Sequence, residues 1–489
     1  MLSRYYVTMA VVSHLLLVLT VICFLNHQAA SEVTYTIAAD HDLCTVSRLC
    51  LSLSQFAVNP NSYLHSNTTL VFLPGIHNLT IGLTVSSVQY FSMLAETSGV
   101  QMVCMGTLFH FTHSQRIDII GIEFVGCASN QIEHVAEFVL GNTIFRSGST
   151  MSGGVLYSVM SNITIAASTF HSNVASWQGG VVRARNSFIA INACKFDSNT
   201  AMSGGGGVLY LLYSSAKIRG SDFNNSRTDF SGGVVYSQSS TIEMDMCEVY
   251  NSTGLYGGVM LTLHSSVTIK GSKFHCNFAT TRGGILDTHN SNVTIQASEF
   301  NMNSATNGGV LYSRGGSNVT VDKSLFSNNT ASSSGGVLYS SDSNVTIREC
   351  QFYNNNMAKF GSGLYSSSSL ITIRGTSLFD NITAAYREGV LNSSNSIITI
   401  EQRLNINDDD VTAATEGRTL DSSSASNEVN PTVSTSTTSM KGLQTTGFDV
   451  ATHIIVNDSL FTRLSSTRIE VTTKTVITTE VETSKLISY

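Results

Sequence analysis

The chain has 489 residues, with 26 Lys and Arg against 33 Asp and Glu for a formal net charge of −7. An acidic balance with no basic patch and no phosphate-binding loop excludes a nucleic-acid reader. The charged fraction is 12%, about half that of an average soluble domain, so whatever architecture the chain adopts tolerates little charge.

Residues 1–30 read as a secretory signal. Arg4 supplies the positive start, Met9 to Leu25 is almost wholly apolar, and Ala29-Ala30 offers a small-residue cleavage site. An uncleaved anchor is the alternative. No later stretch approaches the ~18 apolar residues of a membrane span.

Residues 31–150 are read as an N-terminal cap followed by irregular first coils. Leu70-Val71-Phe72-Leu73 and Leu79-Thr80-Ile81 look like strands, and the spacing from Ile117 to Phe124 equals that from Phe138 to Phe145 and from Val267 to Phe274. Cys44 and Cys50 lie where a repeat stack needs protection against edge pairing.

Residues 151–407 carry a steady repeat. Paired glycines, or their equivalent, begin at Gly153, Gly179, Gly206, Gly232, Gly257, Gly283, Gly308, Gly335, Gly361 and Glu388, spaced 25 to 27 residues apart. Each unit reads Gly-Gly-Val-Leu-Tyr, then Val-Thr-Ile, then Phe with Asn three residues on, as in Phe300/Asn303 and Phe352/Asn355. β-branched and aromatic runs separated by Ser, Asp and Asn indicate short strands and tight turns, and no helical periodicity is present. Three short strands in about 26 residues make one coil of a parallel β-solenoid. Coils stacked roughly 4.8 Å apart align equivalent residues in ladders. A like charge repeated in every coil would repel itself, which accounts for the low charge.

The pair GGV[LVMI] and FxxN resembles the GGA[ILV] and FxxN repeats of the polymorphic outer membrane protein family, with Val in place of Ala, from about Gly153 to Asn407. The organisation is also similar to right-handed β-helix proteins of sponges and other simple animals, which share an N-terminal region like Cys50-Leu51-Ser52-Leu53-Ser54-Gln55 and Thr69 to Gly75. These resemblances imply an all-β, right-handed, single-stranded parallel β-helix of the pectin-lyase-like class. The bacterial family ends in a membrane barrel that has no counterpart here, so its route of secretion is not carried over.

Residues 408–489 begin with Asp408-Asp409-Asp410 and turn rich in Ser and Thr, the composition of a disordered or mucin-like stalk. Val471 to Val481 has β-branched density without matching glycines and is left unassigned.

Candidate chemistry is sparse. Cys194, Cys247 and Cys350 share an offset with Ser168, Ser221, Ser272 and Ser298, so they fill a small buried slot, and no Cys/His spacing fits zinc. No metal and no cofactor are expected. Export directs disulfide expectations to Cys44–Cys50 and Cys104–Cys127. Twelve sequons stand at Asn67, Asn78, Asn162, Asn224, Asn251, Asn292, Asn318, Asn328, Asn344, Asn381, Asn392 and Asn457, candidates for N-glycosylation. The position after Val-Leu is tolerant and therefore outward, which gives a stripe of Tyr157, Tyr210, Tyr236, Tyr312, Tyr339 and Tyr365. Such a stripe either stacks on a ligand or stabilises itself ring on ring.

The acids Asp197, Asp222, Glu243, Asp245, Glu299, Asp322 and Glu349 do not converge in the sequence, and Glu243 and Asp245 have no Lys or Arg close by in the chain. A Thr row from Thr164 to Thr399, interrupted at Ala190, Ile218 and Glu243, is too broken and too rich in sequons for an ice-binding array. The reading is a secreted or surface-displayed, non-catalytic rod, roughly 50 Å long over ten coils, that presents a repetitive face to an extracellular glycan or protein. The alternative is a carbohydrate-active β-helix enzyme, a lyase or hydrolase.

Overall fold

The computed structural model describes residues 32–39, 50–104, 109–128, 130–357, 363–375, 377–380, 391–401, 404–406, 452–455 and 475–478. The signal expected in residues 1–30 lies outside them, as does most of 408–489.

A single coil shows how the residues close the solenoid. Leu338–Ser341 runs along sheet C, Asn344–Arg348 along sheet A and Gln351–Tyr353 along sheet B. Each turn contains one residue in the left-handed region, Asp342, Glu349 and Asn354 in this coil. The next residue inward is a buried Ser, Cys or Asn. Short polar side chains suit these corners because they bond the backbone that the turn leaves unpaired.

The segment after FxxN forms a fourth strand, one more than the repeat pattern predicts. Thr330–Ser334 and its equivalents build sheet D. Sheet D meets sheet C at the paired glycines, where the backbone doubles back. Gly335 has φ +65°, and a side chain at Gly309 would run into the carbonyl of Gly336 on the next coil. Both positions therefore demand Gly.

Stacking yields sheets of 18 (A), 14 (B), 13 (C) and 9 (D) strands, parallel in register throughout the coils. Sheet A aligns Val293, Val319 and Val345, and sheet B aligns Phe274, Phe300, Phe326 and Phe352. The Phe rings stack face to face with centroids 4.9–5.1 Å apart. The chain is a right-handed parallel β-solenoid, and its core is a column instead of a globule.

Polar ladders close three edges of that column. Ser265 donates its backbone N–H to Ser291 Oγ at 3.0 Å, and Ser291 donates likewise to Ser317 Oγ at 3.1 Å. Cys194, Cys247 and Cys350 occupy the second ladder, all buried. Cys247 donates its N–H to Ser272 Oγ at 3.1 Å, and its thiol faces backbone carbonyls. Burial pushes the Cys247 and Cys350 thiols up to about 11. The third ladder is Asn277, Asn303, Asn329 and Asn355.

The N-terminal cap is a helix, Leu53–Val58, started by a capping box between Ser52 and Gln55. It buries Leu53, Phe56 and Ala57 over the first coil, with Phe56 stacked on Tyr63 at 5.8 Å. Cys104 and Cys127 form a disulfide, Cα atoms 4.8 Å apart. Cys50 is disulfide-bonded, and Cys44 lies outside the described residues. Of the C-terminal tail, Thr452–Ile455 and Thr475–Thr478 are described: the second pairs antiparallel with Ile397–Glu401, and the first pairs with the second.

Candidate functional site

The Tyr positions fall in one outward row of sheet C. Its order is Tyr157, Arg183, Tyr210, Tyr236, Leu261, Asp287, Tyr312, Tyr339, Tyr365 and Asn392. The row is outward but sunken: Tyr210 is 7% exposed and the other tyrosines are half-buried. Sheet D flanks the row across the glycine corner, and Gly205 sits beside the Tyr236 ring.

Within the row the rings face one another. Centroids are 4.6 Å apart for Tyr210–Tyr236 and Tyr312–Tyr339, and 4.9 Å for Tyr339–Tyr365. Arg183 covers the Tyr157 ring at 5.0 Å. The stripe therefore offers ring edges and not ring faces to the outside. Burial, followed by the neighbouring phenols, pushes Tyr210 and Tyr339 up to about 12.

Sheet D continues the aromatic surface. Phe230 meets Tyr256 edge-on at 6.4 Å, and Arg282 lies over Tyr256 at 4.4 Å and over Tyr312 at 5.1 Å. A continuous band thus passes from Phe230 through Tyr256, Arg282 and Tyr312 to Tyr339 and Tyr365. Towards the N-terminus it is prolonged by Met151, Trp177 and Met202, 74%, 48% and 49% exposed. Trp177 is the only tryptophan, and its indole rests on Gly204, where a Cβ would come within 2.8 Å of Nε1. The sequence reading passed over Trp177. The available signal was the run Gly204–Gly207, four glycines where other coils have two.

Asp287 was also passed over as chemistry. It is wholly buried in the Tyr row, with Arg282 Nε 3.3 Å from Oδ2 and Arg314 Nε 3.4 Å from Oδ1. Burial raises its carboxyl against the pull of both guanidiniums. His289, two residues on, is lowered by burial and then by Arg314, His264 and Arg282.

The other acids spread over two faces. Glu243, Asp245 and Asp322 stand on sheet A, Asp197, Asp222 and Glu299 on sheet B, and Glu349 at the corner between them. Their partners come from adjacent coils: Lys217 lies 3.3 Å from Glu243, Arg219 3.9 Å from Asp245, Lys323 3.8 Å from Glu349 and His171 2.8 Å from Asp197. Sheet A also corrects the expected Thr row. Ala190 pairs with Lys217, while Ile218 pairs with Ile191 and is buried, so the interrupting residue is Lys217. Side chains alternate faces along a strand, and a one-residue slip exchanges inside for outside.

Asn162, Asn292, Asn318 and Asn344 are exposed in one row of sheet A, and Asn344 donates to Asn318, which donates to Asn292. Asn251 and Asn328 occupy left-handed corners, Asn224 and Asn78 lie on sheet B, Asn67 on sheet A and Asn392 in the Tyr row. Asn381 and Asn457 lie outside the described residues.

A model of the right handed beta helix region family matches residues 153–324 and 257–437, together more than half of the 489 residues. No curated protein matches the chain. Among solved structures the chain is similar to the pectate lyase Pel9A, at 12% identity and TM-score 0.27 over 75% of this chain and 80% of that one. It is also similar to ORF18 of Geobacillus virus E2, at 10% identity and TM-score 0.23 over 69% of this chain and 54% of that one. Neither likeness bears on activity.

Proposed function

The chain belongs to the right-handed β-helix family, and we propose that it is an exported, non-catalytic rod that binds an extended extracellular glycan along its aromatic band. The observation that carries this reading is the continuity of the band from Phe230 to Tyr365, its rings joined across the Arg282 guanidinium, with Trp177 beyond it. Contiguous exposed apolar surface marks interaction sites. A shallow strip repeating once per coil suits a polymer of regular repeat. Trp177 offers an indole at the surface, and the tyrosines offer ring edges along the sunken row.

The distribution of acids supports a binding role over turnover. Glycoside chemistry calls for two carboxylates flanking one bond. Within the band Asp287 is a buried carboxylate held between Arg282 and Arg314, and Glu243 and Asp245 stand on sheet A, each beside a cation from a neighbouring coil.

The test is a glycan array probed with the purified chain, each bound glycan then being assayed for cleavage. Binding without turnover that falls at least tenfold in Trp177→Ala/Tyr339→Ala supports the reading. Turnover sinks it in favour of an enzyme, and binding indifferent to both substitutions places the ligand elsewhere.

A further inference from the structure

Nine of the ten positions in the Tyr row hold Tyr, Leu, Asn or Arg; the tenth holds an acid. Asp287 is wholly buried, between Leu261 and Tyr312. Burying a carboxylate is costly even when it is paired, and apolar replacements of such ion groups are often neutral or stabilising. Neighbouring coils fill the same position with Leu261 and Tyr312 and need no ion pair. The acid is therefore poorly explained by stability, and what it does to its surroundings becomes the question.

It fixes two arginines. Both approach Asp287 through Nε, Arg282 from the end of the sheet D strand just before it and Arg314 from the next coil. The Arg282 contact is a charge contact without hydrogen-bond alignment, so Arg282 Nε and Asp287 Oδ2 keep unused hydrogen-bonding capacity. Arg282 is further clamped between Tyr256 and Tyr312. Among the described residues, neither guanidinium makes a hydrogen bond or ion pair to any side chain other than Asp287. Side-chain exposures of 23% and 30% leave part of each open to solvent, with His289 alongside in register with Arg314. Arg183, in the same row, has a ring beneath it but no acid.

Two guanidiniums held in place at the surface are a receptor for oxygen anions, since each offers a planar fork of donors. With Asp287 ionised the trio carries a net charge of +1. That matches a monoanion better than a phosphate monoester of about −1.5 to −2. We propose that Arg282 and Arg314 bind a monoanionic oxyanion, a sulfate ester or carboxylate, borne by the polymer that lies along the band. This rests on the band being the binding face. Because the whole chain carries −7, general attraction of a polyanion is unfavourable, and the interaction must be local and weakened by salt.

The experiment measures binding of neutral dextran, carboxymethyl dextran and dextran sulfate to the full chain by biolayer interferometry at low and high salt. Removing one arginine strands a buried charge, so the main variant is the triple Arg282→Gln/Arg314→Gln/Asp287→Asn, with circular dichroism checking the fold. Arg219→Gln on sheet A is the control. The charged dextrans should bind more tightly than the neutral one, lose affinity at least tenfold in the triple variant and remain unchanged in the control. The preferred charged probe separates sulfate from carboxylate. No binding of either charged dextran, equal binding of the neutral one, or indifference to the triple variant overturns the proposal. If the triple variant binds normally while Trp177→Ala/Tyr339→Ala does not, the oxyanion site falls and the band stands. If only the triple variant loses binding, the arginines are upheld and the band falls.

Discussion

Asn303 and Asn329 are joined twice: the Asn303 backbone N–H and its side-chain Nδ2 both donate to Asn329 Oδ1, each at 3.0 Å. Asn303 Nδ2 also donates to the carbonyl of Phe274, one coil back. One buried amide thus closes the corner of the preceding coil, at Phe274 and Asn277, and ties it forward to Asn329. Replacing Asn303 with Ala should cost about 2–3 kcal/mol, because buried donors and acceptors are left unpaired. Asn303→Ser should cost less, since Ser226 and Ser252 hold the same slot in other coils. Urea titrations of both variants check this, and equal midpoints for Ala and wild type would remove the ladder as a source of stability.

The interior is not evenly filled. An apolar void of about 10 Å³ lies among Ile295, Val321, Phe326, Val337 and Phe352. Val321 stands in a row where its neighbours are Ile295 and Ile347. Val321→Ile completes that row and adds one methylene towards the void. It should stabilise the chain by about 0.5–1 kcal/mol, the reverse of a typical Ile-to-Val loss. A thermal midpoint that falls would mean that the row is already fully packed.

What the sequence made legible was whatever repeats. The Phe, Asn and Cys/Ser slots recur once per coil, and because stacking turns each offset into a ladder, their burial could be read without a structure. Sheet D was missed because its residues vary: Trp177, Phe230, Tyr256 and Arg282 share no residue type, and only the column beneath them, with Ala175, Ala201, Ala279, Ala305 and Ala331, recurs. Asp287 looked like a mere interruption of the Tyr row, since its meaning depends on Arg282 across the glycine corner and on Arg314 from the next coil. The same one-coil spacing hid Lys217 from Glu243. In a solenoid, proximity is measured across coils as much as along the chain.

Cysteine chemistry should divide sharply. Cys194, Cys247 and Cys350 are buried, and burial raises all three thiols, so they should resist alkylation near neutral pH, where the thiolate is the reactive form. Cys276 is exposed at a left-handed corner. Brief iodoacetamide treatment of the native chain should label Cys276 alone among these four, and denaturation should open the rest. Peptide mapping that found Cys247 modified in the native chain would contradict the closed ladder.

The tyrosine row sets an alkaline limit on the fold. Tyr210 and Tyr339 ionise at about 12 in the folded chain, against about 10 in an unfolded one. Below pH 10 both states keep these protons and the row costs nothing. As pH rises from about 10 to about 12, the unfolded chain releases protons that the folded chain retains, so stability falls across that window. The urea midpoint should therefore decline steeply above pH 10, and absorbance at the phenolate band should lag behind that of free tyrosine until unfolding. Tyr210→Phe/Tyr339→Phe keeps the rings stacked and removes both titrating groups, so its decline should be shallower. An unchanged slope in that variant would assign the alkaline limit to other groups.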